Sequence, residues 1–172
     1  KGICKVIFSA IKLDKKKTME LETRYARDDF VVVSNNSAHR ETGDVPVLIP
    51  EINHHHLEII EAQRTNNNFN NGLIVVKPNC SIQSYMTPLY ALIKEGFLID
   101  RLMVTTLQAV SGSGHPGHSS FDLIDNTLPL PGEEIKSEKE PLKILGSVSG
   151  HTIQPENSIK ISAHCNRVPV IH

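Results

Sequence analysis

Lys77-Pro78-Asn79-Cys80-Ser81 is where this chain is best equipped for covalent chemistry. Pro78 ends the apolar run Leu73 to Val76, and Ile82 to Lys94 has helical character, so Cys80 is expected at a strand-to-helix junction. Thiolate is the reactive form of cysteine, and the free N–H groups and aligned dipoles of a helix N-terminus favour negative charge. The same N–H groups, with the Asn79 amide as a further donor, can stabilise the oxyanion formed when a thiolate attacks a carbonyl. Against this stands the plainer role of cysteine as a small buried hydrophobe. That role is preferred for Cys4, inside the apolar run Cys4 to Ile11. Cys4, Cys80 and Cys165 lie far apart, in odd number and without metal-ligand spacing, so no disulfide framework is expected.

Four other segments carry groups suited to an anionic substrate. Ser34-Asn35-Asn36-Ser37-Ala38-His39-Arg40 follows an apolar run and places a permanent cation where phosphate or carboxylate can dock. Gln108-Ala109-Val110-Ser111-Gly112-Ser113-Gly114 reads as a strand entering a glycine loop that lets a ligand approach the backbone. Gly132-Glu133-Glu134, Lys136 and Lys143 form a charged stretch whose default is a solvated loop and helix. In Ser162 to Val170, Arg167 interrupts a strand-like apolar run, and a buried arginine there needs an anionic partner. The triplet His54-His55-His56 points in three directions on a helix, and His115 and His118 have no further ligand nearby, so no metal is expected.

The elements that must position these groups alternate. Cys4 to Ile11 reads as a buried strand, Lys12 to Arg27 as a surface helix, Phe30 to Val33 and Val45 to Ile49 as strands, and His54 to Gln63 as a helix with Leu57, Ile59 and Ile60 inward. Thr65 to Gly72, rich in asparagine, reads as an exposed loop. Beyond Cys80 the pattern changes to longer strands, Leu98 to Val110 and Leu142 to Ile144, between glycine- and proline-rich loops. The fold class is therefore α/β, with one unit over residues 1–79 and an α+β unit over 80–172. Basic residues number 18 and acidic 19, for a net charge of -1, which gives no field favouring nucleic acid. No apolar run reaches the roughly 20 residues that span a bilayer, and no signal peptide is read at the start, so the expected setting is cytoplasmic.

Taken in order, NNSAHR, KPNCSIQ, QAVSGSG, PGEEIKSE and ISAHCNRVPV resemble the aspartate-semialdehyde dehydrogenases, in the branch shared by archaea and fungi. The resemblance runs over most of the 172 residues. It implies the latter part of a Rossmann NADP-binding domain followed by part of a catalytic and dimerisation domain. It also implies NADPH-dependent reduction of aspartyl-β-phosphate to aspartate-β-semialdehyde and phosphate, in a homodimer or homotetramer. By that resemblance Cys80 is the nucleophile, and Asn79 and Gln108 orient the acyl group. Arg167 matches the arginine that pairs with the substrate carboxylate. Arg40, Glu133 and Lys136 match the phosphate and substrate pocket, and Ser9, Ser34, Asn35, Ser111 and Gly112 match positions lining the nucleotide.

Two departures follow. The family's general acid and base is a histidine farther beyond the arginine than His172 lies from Arg167, and the glycine-rich cofactor turn is not found ahead of Lys1. The chain is thus expected to be an internal piece, inactive alone. Rival readings are an acyl-CoA reductase of the malonyl-CoA type and a non-catalytic remnant acting as an interaction module.

Overall fold

The computed structural model describes residues 4–172, so Lys1 to Ile3, the start of the first expected unit, lie outside it. The first crossover is β1 (Val6–Ser9), α1 (Lys15–Arg27) and β2 (Val31–Ser34), with β1 and β2 parallel. Asp14 starts α1 because its Oδ1 accepts the Lys17 N–H at 3.0 Å, satisfying a donor that no helical carbonyl reaches. Next come α2 (Pro50–Asn53), a 3-10 turn over His54–Ile59, and α3 (Ile60–Asn67), which lead to β3 (Leu73–Val76). β3 lies parallel to β2, and Ser9, Ser34 and Val76 stand in register. The three strands therefore end at one level, and ligands of open α/β sheets bind beyond such carboxyl ends.

The chain continues with α4 (Cys80–Lys94), β4 (Arg101–Gln108), a 3-10 turn over Val110–Ser113, α5 (Ser120–Leu123) and β5 (Leu128–Pro129). It closes with α6 (Glu133–Ile144), the hairpin β6 (Ser147–Ser149) and β7 (Thr152–Gln154), and β8 (Lys160–Arg167). β8 is the middle strand of its sheet, parallel to β4 and antiparallel to β5. α4 joins the two halves. Its Ile82 and Met86, both fully buried, enter the core with Val32, Ile74, Val76 and Ile144, while Tyr85 packs on this core and on Val104, Leu130, Ala163 and Cys165 of the second. The spacing of Ile82, Tyr85, Met86 and Leu89 gives a helix one apolar stripe. Burying side chains of this size stabilises by about 1.5–3 kcal/mol each, which fixes the helix that carries Cys80.

Several local expectations give way to tertiary context. The first strand is shorter than expected, and Cys4, Val6 and Phe8 are exposed: Val6 and Phe8 project from one face of β1, which the described residues leave uncovered. Val45 to Ile49 is no strand: only Val47 forms a bridge, to Val76, and Pro46 has no N–H to give. The expected helix over His54 to Gln63 is divided between the 3-10 turn and the first half of α3, and Leu57 is exposed while Ile59 and Ile60 are buried. The asparagine-rich stretch is not all loop. α3 runs through Asn67, where Asn66 and Asn67 donate to Asp44, and Phe69 is buried in the main core. The expected strand from Leu98 forms only from Arg101, leaving Leu98 exposed. Leu142 to Ile144 forms the last turn of α6, with Ile144 fully buried, because a short apolar run does not distinguish a strand from a buried helix end. Among the described residues no helix is long and apolar enough to cross a membrane.

Candidate active site

Cys80 is the first residue of α4 and is exposed. Asn79 caps the helix: its Oδ1 accepts the Ser81 N–H at 3.1 Å and the Ser81 hydroxyl at 2.9 Å, and lies 3.6 Å from the Cys80 Sγ. The other end of the same amide donates to Glu133 Oε2 at 2.7 Å, and Lys136 donates to Glu133 Oε1. Burial pushes the Glu133 carboxyl up, but Lys136, the Asn79 amide and Arg40 together hold it below the usual range.

Across a cleft of about 1070 Å³ from Cys80 stand the ends of β4 and β8, where Gln108 and Arg167 are register partners. Ser111, Gly112 and His172 also line it. Arg167 is 5% exposed; its Nη1 donates to the Ala109 carbonyl at 2.7 Å, while Nε has no hydrogen-bond partner among the described residues. A buried guanidinium without a carboxylate is costly, and a carboxylate entering the cleft would satisfy it in bidentate fashion. Gln108 donates to Thr106 Oγ1 at 3.2 Å.

Arg40 and Lys136 line a neighbouring cavity of about 250 Å³ together with Lys15, Ser37 and Lys139. The Arg40 guanidinium is buried and already engaged, donating to the Lys77 carbonyl at 3.0 Å, to Glu140 Oε1 at 3.1 Å and to the Asn35 carbonyl at 3.5 Å. Lys143 donates to the carbonyls of Arg40 at 2.9 Å and Thr42 at 2.6 Å, and burial pulls it down to about 8 against the pull of Asp44, Glu140 and Glu41. The expected residues thus divide. Cys80, Gln108, Ser111, Gly112 and Arg167 share one cleft, Arg40 and Lys136 the next, and the Asn79–Glu133 pair links the two.

On the nucleotide side, Ser9 and Ser34 are buried at the strand ends and turned inward. The Ser34 hydroxyl donates to Glu22 Oε1 at 2.7 Å, and Asn36 Nδ2 donates to the Ser9 hydroxyl at 3.1 Å and to Glu22 Oε1 at 3.0 Å. Asn35, Ser111 and Gly112, by contrast, are exposed. Glu22 and Glu140 were not singled out from the sequence. The signal for each was helical spacing, Glu22 between the buried Thr18 and Ala26, and Glu140 on the side of α6 that carries Ser137 and Ile144. The histidine triplet disperses as expected: His56 is buried against the Gly146 carbonyl at 2.9 Å and Asn53 Nδ2 at 3.1 Å, while His54 and His55 are exposed.

Comparison with known proteins places this geometry. Residues 2–60 match the family model "Semialdehyde dehydrogenase, NAD binding domain", and residues 89–172 match "Semialdehyde dehydrogenase, dimerisation domain". The chain is 44% identical over 167 residues to the aspartate-semialdehyde dehydrogenase of Archaeoglobus fulgidus, covering 96% of this chain and 47% of that protein. It is 38% identical to the malonyl CoA reductase (NADP) of Metallosphaera sedula, covering 88% of this chain and 43% of that one. The crystal structure of aspartate semialdehyde dehydrogenase with NADP from Candida albicans superposes with a TM-score of 0.82 at 37% identity, over 98% of this chain and 48% of that one. The chain spans about half the length of the curated relatives it matches. With both family models matched, and the NAD-binding portion followed by part of the dimerisation domain, this chain belongs to the semialdehyde dehydrogenases and is a homologue of aspartate-semialdehyde dehydrogenase.

Proposed function

We propose that the protein carrying this chain reduces aspartyl-β-phosphate to aspartate-β-semialdehyde through a thioester on Cys80. The observation that carries this reading is the cleft joining an exposed cysteine at a helix N-terminus to a buried arginine whose Nε has no partner among the described residues. An aspartyl substrate has the two matching ends, an acyl phosphate for the thiolate and a carboxylate for Arg167. Cys80 Sγ attacks the acyl carbon, the C–O bond to phosphate breaks, and phosphate leaves with both electrons of that bond. The N–H groups at the start of α4 other than that of Ser81, which the Asn79 cap occupies, stabilise the acyl oxygen as charge develops on it. Arg167 holds the carboxylate and Gln108 the acyl group, while Asn79, fixed between its cap and Glu133, keeps the cysteine in place.

Arg40, with Lys136 and Glu133, forms the phosphate side of the pocket. Asn35, Ser111 and Gly112 would contact NADP(H), which when bound supplies the hydride that releases the aldehyde from the thioester. The domain division at Asn79, a homodimer or homotetramer, and a cytoplasmic setting belong to the same reading.

The malonyl CoA reductase relative supports a second reading, in which the leaving group is a CoA thiol. One assay separates the two: phosphate-dependent reduction of NADP by aspartate-β-semialdehyde, with the full-length natural protein beside its Cys80→Ala variant. Activity lost in the variant supports the proposal. Activity that needs CoA in place of phosphate supports the second reading, and none with either acceptor defeats the first.

A further inference from the structure

One helix face touches both Asn79, which precedes the nucleophile, and Arg40 of the neighbouring cavity. Along α6, Glu133 holds the Asn79 amide, Glu140 follows two turns later, and Lys143 holds the Arg40 main chain. Glu140 is buried, and its two oxygens go to different places. Oε2 accepts the backbone N–H of Asn79 at 2.8 Å, and Oε1 accepts Nη1 of Arg40 at 3.1 Å. One carboxylate thus ties the residue before the nucleophile to the arginine of the neighbouring cavity, across 61 and 100 positions of chain respectively.

We infer that Glu140 is a positioning residue that sets the distance and orientation of the Arg40 guanidinium relative to the N-terminus of α4; the inference rests on the phosphate role proposed for Arg40. Chemistry requires a carboxylate here, since both partners are donors and each needs its own acceptor. A glutamine would turn one acceptor into an N–H facing another N–H. An aspartate keeps the charge but is one methylene shorter and cannot reach both donors. Lys143 holds the backbone of Arg40 from the same helix, so a fault in the bridge turns the guanidinium without releasing the loop.

The test uses the full-length protein with Glu140→Gln and Glu140→Asp, each alone and combined with Arg40→Lys. Three quantities are read: KM for phosphate, kcat at saturating phosphate, and the iodoacetamide alkylation rate of Cys80. The expected result is a phosphate KM raised about tenfold to a hundredfold in both single variants, a smaller change in kcat, and little further rise when either is added to Arg40→Lys. A phosphate KM unchanged in Glu140→Asp overturns the inference, as does a full, multiplicative effect in the Arg40→Lys background. If Glu140→Gln does not fold, the aspartate series decides alone. A wild-type protein without phosphate-dependent turnover defeats the underlying reading instead. The bridge is then judged by alkylation, and an unaltered Cys80 rate in Glu140→Asp overturns it.

Discussion

A methyl group added at Gly112 would sit 2.8 Å from Nη1 of Arg167, closer than real Cβ contacts allow. The neighbour is the end of a side chain, so the guanidinium moves and the backbone does not. Gly112→Ala is expected to raise KM for the semialdehyde about tenfold or more, the scale of a disturbed charge-assisted hydrogen bond, with the thermal midpoint nearly unchanged. Steady-state kinetics with a melting curve would show it; an unaltered KM would remove Arg167 from the role of carboxylate receptor.

Gly72 is the opposite case. Its added Cβ would fall 1.9 Å from the Ala26 carbonyl oxygen, a backbone atom in the last turn of α1 that cannot step aside. Gly72→Ala should lower stability by roughly 1–3 kcal/mol through overpacking, visible as a lower urea midpoint with the same slope. The kinetic constants of the folded fraction should not change. A midpoint within error of wild type would mean that β3 and α1 sit farther apart than described.

Asn79→Ala combines two losses, the cap of α4 and the partner of Glu133. Capping alone is worth about 0.5–2 kcal/mol. We expect a stability loss in that range, together with a fall in kcat larger than the lost stability explains, because the start of α4 frays where Cys80 stands. Chemical denaturation and turnover of one preparation suffice to check this, and a variant with wild-type kcat would leave Asn79 a structural cap only.

Stability should fall with acid through two buried histidines. Burial holds His56 below the ordinary histidine value, with the Gly146 carbonyl opposing it, and burial likewise lowers His39 against the opposing charge of Glu22 3.7 Å away. Below about pH 6.5 the unfolded chain takes up protons that the folded chain resists. The stability these groups contribute is therefore full above that value and is lost as pH falls through it toward the lowered folded values. Urea unfolding at about pH 7.5 and 5.5 should give a smaller free energy at the lower pH, and the difference should shrink in His56→Gln. A free energy that rises on acidification would contradict this.

Much of the site was readable before any fold was known. Pro78 punctuates the chain in its own neighbourhood, so the strand end and Cys80 at the helix start are local events, whereas Asn79, read as an oxyanion donor, proves to be the helix cap with its amide on Glu133. The apolar runs of β2 and β3 and the strand carrying Arg167 are likewise visible in the residues themselves, and the order of five motifs carried the family. Other features depend on what lies opposite. Cys4 and Phe8 are exposed because nothing among the described residues covers them, Phe69 is buried because the main core receives it, and Ile144 ends a helix because α6 meets that core. The placing of Arg167 beside Gln108, and the bridge that Glu140 builds between Arg40 and Asn79, join residues remote in sequence. Sequence by itself determined which groups are present and the local structure on which each stands. Tertiary structure alone decided which of them meet, because hydrogen bonds and packing act over a few ångströms and only the folded chain brings distant residues that close.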